Sequence, residues 1–192
     1  MRNFLVYYAV MIRKIVSSPH PALQTVAKPV SSIDKKIHTL IHDMQETLEA
    51  QSDPEGVGLA APQVAVGIRL FIIKPNPSKP CRTFINPEII AREGDTLAAL
   101  SGQKKSKKGV QLEGCLSVPK IWSPVARSKR VLLKYEDEQG KQHETWFGGF
   151  TATVIQHEVD HINGILFSQR AMQQNQVIYQ EKDDELVPMH LP

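Results

Sequence analysis

Cysteine is nearly absent from this chain: Cys81 and Cys115 are the two in 192 residues. So few cannot build a disulfide framework, and their scarcity points to a reducing compartment, with the cytoplasm as the expected location. Any apolar run of the roughly 20 residues needed to cross a bilayer is missing as well. The first eleven residues are mildly apolar behind a single Arg2, short for a secretory signal and without a clear small-x-small cleavage site. No acidic residue precedes Asp34, which keeps a short organelle-targeting role in view, although arginine is scarce there. Excess charge is small too. The net value is +3, and Lys104, Lys105, Lys107 and Lys108 concentrate it in one stretch, without which the balance turns slightly acidic. That argues against a whole-surface nucleic-acid binder, so neither a membrane nor a specific nucleic-acid partner is expected.

What is present suits one soluble domain. Hydrophobic residues make up 41% and charged residues 22%, over a length that buries one good core. Prolines 19, 21 and 29 predict looped or extended backbone over residues 12–33. Ser31-Ser32-Ile33-Asp34 reads as a helix start, and the helix should run to about Ala50 on a stripe of Ile37, Leu40, Ile41, Met44 and Leu48. His38 and His42 are four apart on that helix but fall toward its polar side, and are expected to face solvent.

Ile68 to Ile73 is a buried-strand run, and Thr83 to Pro87 a shorter strand continuing through Glu93. Gln111 to Pro119 is strand or extended chain. Arg130 to Tyr135 and Gln142 to Phe147 form a hairpin turning at Gly140. Residues 98–109 read as a solvated loop, with Lys104 to Lys108 exposed. After Phe167 the composition turns Gln-rich and then charged, so the tail is expected to be partly disordered.

Chemistry concentrates in Gln156-His157-Glu158-Val159-Asp160-His161. Histidines four apart share one helix face, and Glu158 lies about 100° round from His157. This is the H-E-x-x-H arrangement: two nitrogen ligands and a carboxylate placed to take a proton from a metal-activated water. Phe150, Val154, Ile155, Val159 and Ile162 form the apolar stripe, Thr151 can cap the start, and Gly164 ends the helix.

A catalytic site needs a third ligand. Beyond His161 only Glu181 and His190 offer themselves, both in the tail. Cys115 beside Gly114 is the better candidate, though taken alone it reads more readily as a buried core thiol. The motif by itself fits a general zinc peptidase equally well. A binding protein that keeps the pocket and has lost catalysis is the reading from another class. Gly56-Val57-Gly58-Leu59-Ala60-Ala61-Pro62-Gln63 lets backbone approach a ligand closely, but lacks the third glycine of a nucleotide fingerprint.

Together, Gly56 to Gln63, Glu113-Gly114-Cys115-Leu116-Ser117 and Gln156 to His161 resemble, in order and separation, the three signature motifs of the peptide deformylase family. The resemblance covers roughly Ile12 to Phe167. It implies a single α+β domain, with mixed or antiparallel strands around a central helix that carries the histidines. It implies hydrolysis of the N-formyl group from the initiator methionine of newly made polypeptides.

One divalent metal ion, Fe²⁺ with Zn²⁺ or Ni²⁺ able to substitute, would sit on Cys115, His157 and His161. Glu158 would be the base, and the Gln63 amide and Leu116 backbone N–H would face the oxyanion. Val57, Gly58 and Glu113 would hold the N-formylmethionyl peptide, and Glu55 would brace Arg127. The chain then divides into an N-terminal extension (1–11), a catalytic domain (12–167) and a C-terminal tail (168–192). Three departures from the family pattern stand out. Residues 98–109 are an insertion, Met11 is an alternative initiator, and the tail is acidic where a ribosome-docking helix should be basic.

Overall fold

Asp34 starts the first helix. Its carboxylate accepts from the backbone N–H groups of Lys36 and Ile37, satisfying two of the donors a helix start leaves unpaired. This computed structural model describes residues 11–52, 56–95 and 111–189, so the lysine cluster, residues 1–10 and Glu55 lie outside the described residues. Helix α1 spans Lys35–Glu49 and buries Leu40, Ile41, Met44 and Leu48. His38 and His42, expected to face solvent, are half-buried, because the neighbouring elements cover the flank of the apolar stripe as well as its centre.

Five strands form the main sheet, in the order β1 (Gly58–Ala60), β2 (Leu70–Ile73), β3 (Arg82–Asp95), β6 (Ser128–Glu136), β7 (Gln142–Gly148). Every pairing in it is antiparallel. All four residues of β2 are buried, and the pleat explains the unbroken apolar run. Phe71 and Ile73 join the core containing Val154, Ile155 and Ile162, whereas Leu70 and Ile72 join the core of α1. The sheet is thus covered on both faces. A second antiparallel sheet follows the order β4 (Glu113–Cys115), β5 (Val118–Ser123), β8 (Tyr179–Lys182), β9 (Glu185–Pro188).

Helix α2, Gly149–Ile162, carries the histidine motif across the main sheet. It opens from extended Gly148 with no side-chain cap, so Thr151 does not cap it. Phe150, expected in the buried stripe, is 44% exposed, because the helix turns its first residues away from the sheet. At the other end Gly164 takes φ +71°, and the Ile165 N–H returns to the Asp160 carbonyl at 2.9 Å. A β-carbon on Gly164 would stand 2.8 Å from the Gln24 backbone, so the helix end docks on the N-terminal segment.

As far as Met189 the tail is folded where partial disorder was expected. Helix α3 (Phe167–Gln173) and strands β8 and β9 continue the fold. Phe167, Ala171 and Ile178 are buried, and these few apolar anchors suffice despite the polar composition around them. Arg170 also reaches back to Asp160 on α2, at 2.7 Å.

Candidate metal centre and cleft

Three side chains from two elements converge. Cys115 ends β4, and His157 and His161 lie one turn apart on α2. Their ligand atoms all lie within 4.8 Å of one another, and Cys115 Sγ is 3.2 Å from His161 Nε2. One sulfur and two imidazoles in a buried cluster suit a single transition-metal ion. Among the described residues this is the one His/Cys/Asp/Glu group gathered closely enough to hold an ion.

Glu113 orients His157. Its Oε2 lies 3.1 Å from Nδ1, leaving Nε2 for an ion, a carboxylate–histidine pairing common around metals. Burial alone would raise the pKa of Glu113, but hydrogen bonds from Arg127 and His157 outweigh it and hold the carboxyl at about 2. Arg127 donates to both Glu113 oxygens at 2.9 Å and to Asp160 Oδ2 at 2.6 Å. Burial opposes the Arg127 charge, and the contacts with Glu113 and Asp160 more than offset it. This buried ionic network ties the cysteine strand to the histidine helix.

Burial would likewise strip the charge from His157, yet hydrogen bonds with Cys115 and Glu113 raise its pKa well above the usual value. His161 moves the other way, lowered by burial and then by the charges of His157 and Arg127. Glu158 is 3% exposed, and burial pushes its carboxyl up to about 7, with His157 opposing. Its Oε2 has no hydrogen-bond partner among the described residues. A buried carboxylate poised near neutrality, beside a metal cluster, is suited to moving a proton.

Gln63 sits in a 3-10 turn, Ala61–Val64, directly after β1. Its Oε1 accepts from the Ala60 N–H at 2.8 Å, which turns the amide nitrogen toward Cys115 Sγ (3.6 Å) and Ser117 Oγ (3.3 Å). A cleft of about 220 Å³ opens over the cluster, lined among others by Val57, Gly58, Gln63, Glu113, Cys115 and Leu116. Eight of the nine expected site residues line this cleft, and buried His161 joins them through the cluster it forms with Cys115 and His157.

Trp122, Phe150 and Thr153 also line the cleft, and no motif in the sequence marked them. Asp160 was visible only as a letter inside the histidine motif. Its pairing with Arg127 depends on two elements meeting in space.

The family model described as polypeptide deformylase matches residues 12–177. The peptide deformylase of Pseudothermotoga lettingae is 40% identical over 157 residues, 82% of this chain and 81% of its own. Among solved structures, a peptide deformylase from Legionella pneumophila superposes with TM-score 0.71 at 37% identity, covering 85% of this chain and 91% of that one. The Met-Ala-Ser-bound class I type b peptide deformylase from Acinetobacter baumannii gives TM-score 0.68 at 34% identity, covering 83% and 98%.

Proposed function

The chain belongs to the peptide deformylase family and is a hydrolase that removes the N-formyl group from nascent peptides; from that premise we propose how its residues divide the work. Cys115, His157 and His161 hold one divalent ion, with Fe²⁺ as the physiological metal and Zn²⁺ or Ni²⁺ able to replace it. The observation that carries this is the gathering of one sulfur and two nitrogens within 4.8 Å. Such an ion supplies Lewis acidity toward the formyl oxygen and lowers the pKa of water.

Glu158 accepts the proton of the attacking water and delivers it to the departing amine. Its raised pKa supports both halves of that transfer. Gln63 donates to the oxyanion from an amide whose other end is already fixed by Ala60, so little reorganisation accompanies the reaction. The Leu116 N–H is the second donor, and losing one such donor typically costs about 3 kcal/mol.

Val57 and Gly58 line the cleft beside Glu158 and admit the smallest acyl group while crowding larger ones. The Glu113 carboxylate is engaged by Arg127 and His157, so what it offers a peptide is its main chain. The substrate carries formyl-methionine at its start, and the reaction takes place in the cytoplasm, in keeping with two free thiols. Ribosome contact through the tail has little support, since Glu181, Asp183, Asp184 and Glu185 make its hairpin acidic. We propose the division 1–11, 12–167 and 168–192 in a functional sense only, with all proposed reacting groups in the middle part, since strand β8 of the tail pairs with β5.

The test uses protein purified without oxygen. Metal content near one ion per chain should accompany release of formate from formyl-Met-Ala-Ser, with the internal bonds left intact. Cleavage of an unformylated peptide in its middle, as fast as formate release, would return the site to the general peptidase reading.

A further inference from the structure

The tail hairpin reaches the cleft. The Trp122 indole on β5 forms part of the cleft lining, and its Nε1–H donates to Glu181 Oε2 on β8 at 2.8 Å. On its other side the six-membered ring lies flat on Gly114. A β-carbon there would stand 2.6 Å from Cζ3, 2.8 Å from Cε3 and 3.0 Å from Cη2. The indole is therefore held between a backbone that only glycine permits and one carboxylate from the far end of the chain.

The strand carrying Glu181 is itself secured. Trp122 pairs with Tyr179 and Ile121 with Gln180. Ser123 Oγ donates to the Val177 carbonyl at 2.9 Å, and the Gln174 side chain accepts from the Ala126 N–H at 2.7 Å. An indole has one donor and two side-chain torsions, so a charge-assisted bond at that donor selects one orientation.

We propose that Glu181 is a positioning residue: it fixes the Trp122 indole as the wall that grips the peptide beyond the formyl-methionyl unit. The proposal rests on the deformylase reading of the cleft. Trp122 is not among the groups that converge on the metal cluster, and Glu181 touches none of them in the contacts described. Losing Glu181 should weaken peptide binding and leave the chemical step alone, which is the signature of binding felt equally in ground and transition states.

The experiment is run in a Trp146→Phe background. Trp146 is the second of two tryptophans, partly exposed on β7 with Arg130 4.9 Å above its ring, so its replacement leaves Trp122 as the sole emitter. Glu181→Ala should red-shift Trp122 emission and increase acrylamide quenching. KM for formyl-Met-Ala-Ser should rise roughly tenfold with kcat within about twofold, since one charge-assisted hydrogen bond is at stake. KM for formyl-methionine alone should stay within about twofold, because the affected wall lies beyond it. Glu181→Gln, which keeps an acceptor, should restore most of the loss.

Trp122→Phe keeps a ring on Gly114 and removes the donor. In that protein Glu181→Ala should have no further effect on KM. An equal effect with and without the indole N–H would assign Glu181 to general hairpin stability and overturn the proposal. So would a fall in kcat at constant KM, or an unchanged KM with a mobile indole. If unsubstituted protein releases no formate from either substrate, the deformylase reading fails. Emission and quenching then still decide whether Glu181 holds Trp122, and a Glu181→Ala indole as protected as before overturns that too.

Discussion

The Glu158 carboxylate occupies the space that a β-carbon on Gly58 would need: Oε1 overlaps that position and Cδ lies 2.9 Å from it. Glycine at 58 is therefore a condition for the proposed base standing where it does. Gly58→Ala is expected to push the carboxylate aside and lower turnover of a formyl peptide by roughly 10²-fold, the scale of a 1 Å misplacement. Metal content should not change. Full activity in the variant would show that Glu158 has room to spare.

Glu158→Gln keeps the shape and removes the proton acceptor. Positioned acid–base catalysis is worth roughly 10²–10⁴-fold, and formate release should fall by at least that. Metal content should stay near one ion per chain, and peptide affinity should change little. Loss of the ion would make Glu158 a ligand and not a base.

The Cys115 thiolate is expected in the coordination shell with the two imidazoles. X-ray absorption should find one sulfur and two nitrogens, and a shell without sulfur removes Cys115 from the set. With Fe²⁺ bound, activity should decay in air as iron and thiolate oxidise, whereas Ni²⁺ should preserve it. Chelation should abolish formate release, and readdition of Ni²⁺ should restore it.

Arg127 lies between Glu113 and Asp160 with both partners buried. Arg127→Met should destabilise the fold by about 3–5 kcal/mol, because it leaves two carboxylates without their shared cation. Urea unfolding of the metal-free protein measures this directly. A loss below about 1 kcal/mol would mean that the network adds no more than an exposed pair does.

Cys81 should be the unreactive thiol. Burial pushes its pKa up to about 11, against the opposing influence of the Arg82 backbone and Lys74. At neutral pH it is protonated, so alkylation should be slow and should quicken about tenfold per pH unit toward that value. Mass spectrometry of metal-loaded protein after iodoacetamide at pH 7.5 should show little modification. Rapid labelling of this half-buried thiol would contradict its raised pKa.

Local signals made much of this molecule readable. Asp34 caps α1 through contacts two and three residues away, and the apolar run from Ile68 to Ile73 announces a buried strand by composition alone, although the strand itself is Leu70–Ile73 and Ile68 stays half-buried outside it. The H-E-x-x-H spacing is a property of one helix. Other features needed the third dimension. Arg127 meets Asp160 across 33 residues, and Trp122 meets Glu181 across 59, with no periodicity to announce either. Phe150 looked like core because it continues an apolar stripe, but the helix begins there and turns it toward the cleft. The tail looked disordered because its polar residues outnumber Phe167, Ala171 and Ile178, the anchors that hold it down.

The order of elements along the chain has a consequence for the timing of competence. The five-stranded sheet is complete once Gly148 has been added, yet such a chain carries Cys115 alone of the proposed ligands. Both histidines and the proposed base arrive together in the 14 residues of α2. The contacts that fix Trp122 come later still, with Val177 to Glu181. A growing molecule therefore lacks two of the three proposed ligands and the proposed base until α2 has been added, and the contacts that orient the Trp122 indole form only afterwards.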